Sequence, residues 1–130
     1  MGLDNGIIVK KVKIDEIDKY VKYEDYSTED ETEIEIAYWR KCWGIRQAIL
    51  NALNSDVDNG DTIIHREDIP NIVDTLLPFL NEDYWNENSD SIWEYDEQIA
   101  DNLTHILLNL VWLATYMKDH DVVAWFYDSY

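Results

Sequence analysis

Hydrophobic and polar positions alternate in two rhythms along this 130-residue chain, and the changes of rhythm divide it into elements. Ile7 to Ile14 has a strand pattern, with Ile8, Val12 and Ile14 expected on one side and Lys11 and Lys13 on the other. Ile14, Ile17 and Val21 are spaced by three and four, which predicts a short helix over Asp15 to Tyr23. Ser27 to Glu35 (STEDETEIE) reads as a polar loop. From Glu33 to Asn54 a long helix is predicted. Tyr38, Cys42, Ile45, Ile49 and Leu53 form its apolar stripe, which Trp39, Trp43 and Leu50 widen, with Glu33 and Glu35 near its positive end.

Ser55 to Asp61 (SDVDNGD) is rich in turn formers and reads as a loop, followed by a short extended piece over Thr62 to Ile64. A second helix is predicted from Asp68 to Leu80, entered through Pro70 and bent or shortened by Pro78, with Ile69, Ile72, Val73, Leu76 and Leu80 buried. Asn81 to Asp90 is polar and acidic, broken by Tyr84 and Trp85, and is expected to be an exposed loop. The longest helix is predicted from Ser91 to Asp119, and Val122 to Tyr127 (VVAWFY) is a β-branched and aromatic strand. Pairing of that strand with the N-terminal one gives the expected architecture. It is a single α+β domain over residues 1–130, with three main helices packed on a small antiparallel sheet formed by the N- and C-terminal strands.

Charge changes the picture. The chain carries 28 acidic and 10 basic residues, a net charge of −18, yet 46% of it is hydrophobic, with six Trp and nine Tyr. A disordered acidic tail lacks such aromatics, so this chain folds and displays a negative surface. The acid is concentrated. Segment charges are −8 for 15–36 and −13 for 55–101, against +2 for 1–14, +3 for 37–54 and −2 for 102–130. Such a surface repels nucleic acid and anionic lipid and attracts basic proteins. Cys42 is the only cysteine, so no internal disulfide forms, and neither a signal-peptide pattern nor a bilayer-length apolar stretch is present. The expectation is a soluble cytoplasmic protein.

Candidate chemistry is sparse. The loop from Asp56 to Asp61 invites a calcium reading, but counted from Asp56, Gly60 falls on the fifth position where an EF-hand needs it on the sixth. It reads as an acidic turn, with a weak cation site as the alternative, and no metal or cofactor is assigned. Trp39, Arg40, Trp43 and Arg46 are expected on adjacent turns of one helix. They form either a ring-binding platform with cations for phosphate, a nucleotide-like ligand site, or a core helix whose arginines pair with acidic neighbours. His65, His105 and His120 lack ligand partners at metal-binding spacing, and His105 is expected in the core. Ser27, Ser91 and Cys42 have no base beside them in sequence. Glu94, Asp96, Glu97 and Asp101 crowd a helix start, where acids are favoured by the dipole. No catalytic residue is assigned, and an enzyme is not expected.

Gly2-Leu3-Asp4-Asn5-Gly6-Ile7, Tyr38-Trp39-Arg40-Lys41-Cys42-Trp43-Gly44-Ile45-Arg46 and Phe126-Tyr127-Asp128-Ser129-Tyr130 together resemble small uncharacterised proteins of bacteriophages and mobile elements in Gram-positive bacteria. That resemblance implies an accessory protein acting against host defences inside a bacterial cell, and it carries no catalytic residues. In charge and size the chain is also similar to acidic phage inhibitors that mimic DNA, several anti-CRISPR proteins among them. The expected function is inhibition of a basic nucleic-acid-binding enzyme. The expected partner surface is Tyr20, Tyr23, Glu24, Asp25, Tyr26, Glu29, Asp30 and Glu31 in one stretch, and Glu82, Asp83, Tyr84, Trp85 and Glu87 in the other. The alternatives are the small-ligand platform above, or a structural or regulatory component of the phage.

Overall fold

A computed structural model of the chain describes residues 3–11 and 33–130. Among these residues four strands form one antiparallel sheet: β1 (Asp4–Lys11), β2 (Glu33–Arg40), β3 (Asp61–Ile64) and β4 (Val122–Ser129). Their order is β2-β1-β4-β3, so the two chain ends lie side by side at its centre, as expected. The described residues also form four α-helices, which makes the fold α+β: α1 (Trp43–Ala52), α2 (Ile69–Leu76), α3 (Glu82–Asn88) and α4 (Glu97–Asp119). Short 3-10 turns flank α2 at Arg66–Asp68 and Leu77–Leu80, the second being where Pro78 tightens the end of the predicted helix.

The core lies between one sheet face and the helices. Ile7 and Val9 of β1 meet Phe126 and Ala124 of β4, and Ile64 continues the row on β3. Ile45 and Ile49 of α1, Ile72 and Leu76 of α2, and Leu103, Ile106, Leu110 and Leu113 of α4 close over them. Each such side chain contributes about 1.5–3 kcal/mol by leaving water. The facing on β1 is the reverse of expectation. Ile7 and Val9 point to the helices, while Ile8 and Lys10 share the opposite face with Trp125, where Lys10 and Trp125 are also buried. Val12 to Ile14, the predicted helix over 15–23 and most of the predicted loop over 27–35 lie outside the described residues.

The largest correction concerns Glu33 to Asn54, which is a strand followed by a helix. Glu33-Ile34-Glu35-Ile36 alternates with period two, but the register to β1 shifts between Ile7 and Ile8, and Ile36 and Ala37 are both buried. This bulge moves the phase by one residue, so the broken alternation imitates a helical stripe running into Cys42 and Ile45. Lys41, in the left-handed region at φ 57°, separates the two elements, and its N–H donates to the Leu3 carbonyl at 2.8 Å.

Two further boundaries differ from expectation. Asn81 to Asp90 holds α3, whose N-cap Asn81 accepts a bond from the Tyr84 N–H at 3.0 Å, with Glu82 and Asp83 in the first turn. The helix forms because Trp85 is a core residue packed edge-on against Phe79 and Tyr95. The long helix α4 starts at Glu97, six residues later than predicted, because Asp96 caps it by accepting from the Ile99 N–H at 2.8 Å.

Candidate functional site

The most acidic described stretch of the chain runs from α3 into the first turns of α4. Glu82, Asp83, Glu87, Asp90, Glu94, Asp96, Glu97 and Asp101 are all exposed, and no basic residue lies between Asn81 and Asp101. The segment between the helices is irregular and pinned at both ends. Ser91 makes an isolated bridge to Cys42, Ser91 Oγ accepts from the Trp93 N–H at 3.0 Å, and the Trp85 indole donates to the Trp93 carbonyl at 3.1 Å. These bonds hold Ile92 and Trp93 outward, 70% and 54% exposed. Tyr84 is also exposed, its ring edge-on to Phe79 at 5.0 Å. Of the two aromatics expected as anchors in this stretch, Tyr84 is exposed and Trp85 is not, since Trp85 is 3% exposed. Trp93 is the exposed tryptophan of this stretch. Sequence reasoning missed it by extending α4 back to Ser91, although Asp96-Glu97 before an apolar run was a legible start signal. Tyr20, Tyr23, Glu24, Asp25, Tyr26, Glu29, Asp30 and Glu31 lie outside the described residues.

Behind Trp93 the surface opens into two adjoining spaces. An outer groove of about 790 Å³ is lined by Trp93, Glu94, Tyr95, Asp96, Asp101 and their neighbours. An inner recess of about 230 Å³ lies against β2, with Trp39, Trp85, Cys42, Leu103 and Arg40 in its wall; Trp93, Ile99 and Asn102 belong to both. Among the described residues β2 pairs with β1 and lies at the edge of the sheet.

The tryptophan–arginine stretch does not form one helix face. Trp39 and Arg40 belong to β2, Trp39 buried toward the helices and Arg40 exposed, whereas Trp43 and Arg46 are one turn apart on α1. Arg46 is held by acids. Its Nε and Nη2 donate to the two oxygens of Asp128 at 2.8 Å each, and Nη2 also donates to Asp58 at 2.8 Å. The guanidinium lies 5.4 Å from the ring centres of both Trp43 and Tyr130. Asp128 also accepts from Asn5 Nδ2 and the Asn59 N–H, each at 2.9 Å. Burial by itself raises the Asp128 carboxyl, but the bonds from Arg46, Asn59 and Asn5 outweigh it and hold the group below the usual carboxylate range. The tyrosine hydroxyl of Tyr130 reaches Asp58, and Asn59 Oδ1 accepts from the Tyr130 N–H at 3.0 Å. This cluster fastens the loop after α1 to the end of β4. Asp58 and Asn59 of the calcium-like loop are used there, and among the described residues no three His, Cys, Asp or Glu side chains converge as a metal site would require.

The remaining candidates have structural occupations. Burial raises the Cys42 thiol, with a smaller opposing pull from Ser91, so the thiol stays protonated and hidden. His105 is exposed on α4, contrary to the expectation of a core histidine, because the buried stripe of that helix runs through Leu103, Ile106, Leu110 and Leu113 and His105 falls beside it. His120 stacks on Tyr116 at 3.9 Å just after α4. On the sheet face away from the helices, Tyr38 donates to Asp4 at 2.6 Å and Tyr127 to Glu35 at 2.7 Å. The bond to Asp4 raises the Tyr38 phenol, while burial and then Glu35 raise Tyr127, so neither supplies a phenolate. No helix among the described residues is long and apolar enough to cross a membrane. Compared with protein-family models, with curated proteins and with solved structures, the chain gives no match.

Proposed function

We propose that this chain is a non-catalytic binding protein that docks its acidic α3–α4 surface onto a basic, nucleic-acid-binding enzyme and blocks the groove that holds nucleic acid. The observation that carries this reading is the unbroken run of eight exposed carboxylates from Glu82 to Asp101, with exposed Trp93, Ile92 and Tyr84 among them. Carboxylates alone supply attraction and fast association, and exposed aromatic anchors supply the short-range energy that makes a complex last. The acidic stretch 15–36, with its three tyrosines, extends the same chemistry in sequence. A phage-type accessory protein acting on a defence nuclease of a bacterial host fits this surface, since such a target must carry a positive channel.

The test is capture from bacterial lysate at low salt, followed by release with duplex DNA. A basic protein should be retained, and DNA should displace it. A variant with Glu82, Asp83, Glu87 and Glu94 changed to their amides should lose it, and Trp93→Ala should speed its dissociation. Equal retention by the amide variant, or indifference to DNA, would sink the proposal.

A further inference from the structure

The dipeptide Asn-Gly occurs twice, at Asn5-Gly6 and Asn59-Gly60, and the fold treats the two oppositely. In this pairing an asparagine side chain is most open to attack by the next main-chain nitrogen, because glycine has no Cβ to shield that nitrogen or restrict its approach. Asn5 is 1% exposed in the strand β1, which is paired on both sides, and its Nδ2 is bonded to Asp128. Bringing the Gly6 nitrogen onto that side chain requires the sheet to open. Asn59 is exposed, in the loop between α1 and β3. Its Oδ1 accepts from the Tyr130 N–H at 3.0 Å. That bond polarises the side-chain carbonyl, and it stabilises the charge that gathers on Oδ1 when a nitrogen adds to Cγ, as an oxyanion donor does.

We infer that Asn59 is a site of spontaneous deamidation in the folded protein, and that its isoaspartyl product loosens the cluster around Arg46. The Gly60 nitrogen bonds to Asn59 Cγ and gives its proton to water. The Cγ–Nδ2 bond breaks, and Nδ2 takes a proton and leaves as ammonia. Water then opens the cyclic imide at either carbonyl, with no oxidation or reduction. Cleavage at Cγ leaves aspartate and an unchanged main chain. Cleavage at the main-chain carbonyl leaves isoaspartate, whose main chain runs through the former side chain and is one methylene longer. The position matters because Asp128 grips both sides of this link. Its carboxylate accepts from the Asn59 N–H at 2.9 Å, and its own N–H donates to the Gly60 carbonyl at 2.8 Å. A longer link cannot keep both bonds, and the new carboxylate stands near Asp58 and Asp128, which share Arg46. The inference goes beyond the partner-binding reading, because neither α3 nor the start of α4 takes part.

The test holds the intact folded chain in warm, mildly alkaline buffer and follows the tryptic peptides Met1–Lys10 and Gln47–Arg66 by mass spectrometry, with fragmentation to place the change and to separate aspartate from isoaspartate. Asn59 should convert at least about tenfold faster than Asn5, since opening a strand paired on both sides costs more than one tenfold step in free energy. In guanidinium chloride the two should convert at similar rates, which makes the difference a property of the fold. Gly60→Ala should slow Asn59 several-fold and keep the fold, because Gly60 is not at positive φ and an added Cβ meets only the Val57 Cγ1 methyl, at 3.0 Å. The isoaspartyl species, separated from fresh protein, should unfold at lower urea concentration, while aged Gly60→Ala protein should unfold where it did when fresh. An Asn59 that stays intact in the folded chain, an equal pace at Asn5 and Asn59 there, an unslowed Gly60→Ala, or an isoaspartyl species as stable as fresh protein would overturn the inference.

Discussion

Replacing Arg46 by alanine tests the cluster that joins α1, the loop after it and β4. In the native protein Asp128 is 3% exposed and accepts four hydrogen bonds, two of them from Arg46. The variant strands a buried carboxylate with its Asn5 and Asn59 bonds alone. Breaking a buried pair in this way costs roughly 3–5 kcal/mol, and loss of the contacts to Trp43 and Tyr130 adds about 0.5–1 kcal/mol. Arg46 is itself 12% exposed and its bond to Asp58 faces solvent, so the lower end applies, about 3 kcal/mol. With a urea slope near 2 kcal/mol/M, the midpoint should fall by about 1.5 M. Unfolding in urea followed by tryptophan fluorescence measures this directly.

The pH dependence carries the sign. Because the folded pKa of Asp128 is lowered, its contribution is full above the unfolded value near 3.9 and is lost as pH falls through the lower folded value. In Arg46→Ala the main opposing force is gone and burial raises the folded pKa instead, so protonation relieves the variant. The stability gap between the two proteins should therefore narrow on acidification from neutral pH toward pH ~4. Comparing the two at each pH cancels the changing self-repulsion of the other carboxylates. A loss below about 1 kcal/mol, or a gap constant with pH, would refute the assignment of Asp128 as a buried, charged acceptor.

Gly44→Ala should destabilise by about 1–3 kcal/mol despite the better helix propensity of alanine, because its Cβ would sit 1.9 Å from the Asn88 carbonyl oxygen; chemical denaturation checks this. Trp85→Ala should lose about 3–5 kcal/mol while Trp93→Ala stays within about 0.5 kcal/mol, and paired thermal melts separate the buried indole from the exposed one. Cys42 should resist a thiol reagent such as DTNB in the folded protein and react promptly in denaturant, since both its burial and its raised pKa withhold the thiolate; prompt native reaction would contradict the placement.

What the sequence determined by itself was the set of strong local signals and the overall charge. The β-branched and aromatic run Val122 to Tyr127, the turn residues from Ser55 to Asp61 and the apolar spacing from Leu103 to Leu113 each specify an element without outside help, and they place the chain ends in one sheet. The acidity of 55–101 was equally plain. Tertiary structure decided the rest, because in those places one pattern serves two outcomes. A bulge at Ile36–Ala37 made the strand β2 look like the first half of a helix, and only pairing with β1 separates the two readings. Trp85 and Trp93 occur in equally polar stretches, and their opposite fates depend on Phe79 and Tyr95 being in place to receive one of them. The partners of Arg46 are 12 and 82 residues away in sequence, and the acid that satisfies a buried guanidinium is chosen by the fold alone, since burial is what makes its desolvated charge demand a partner.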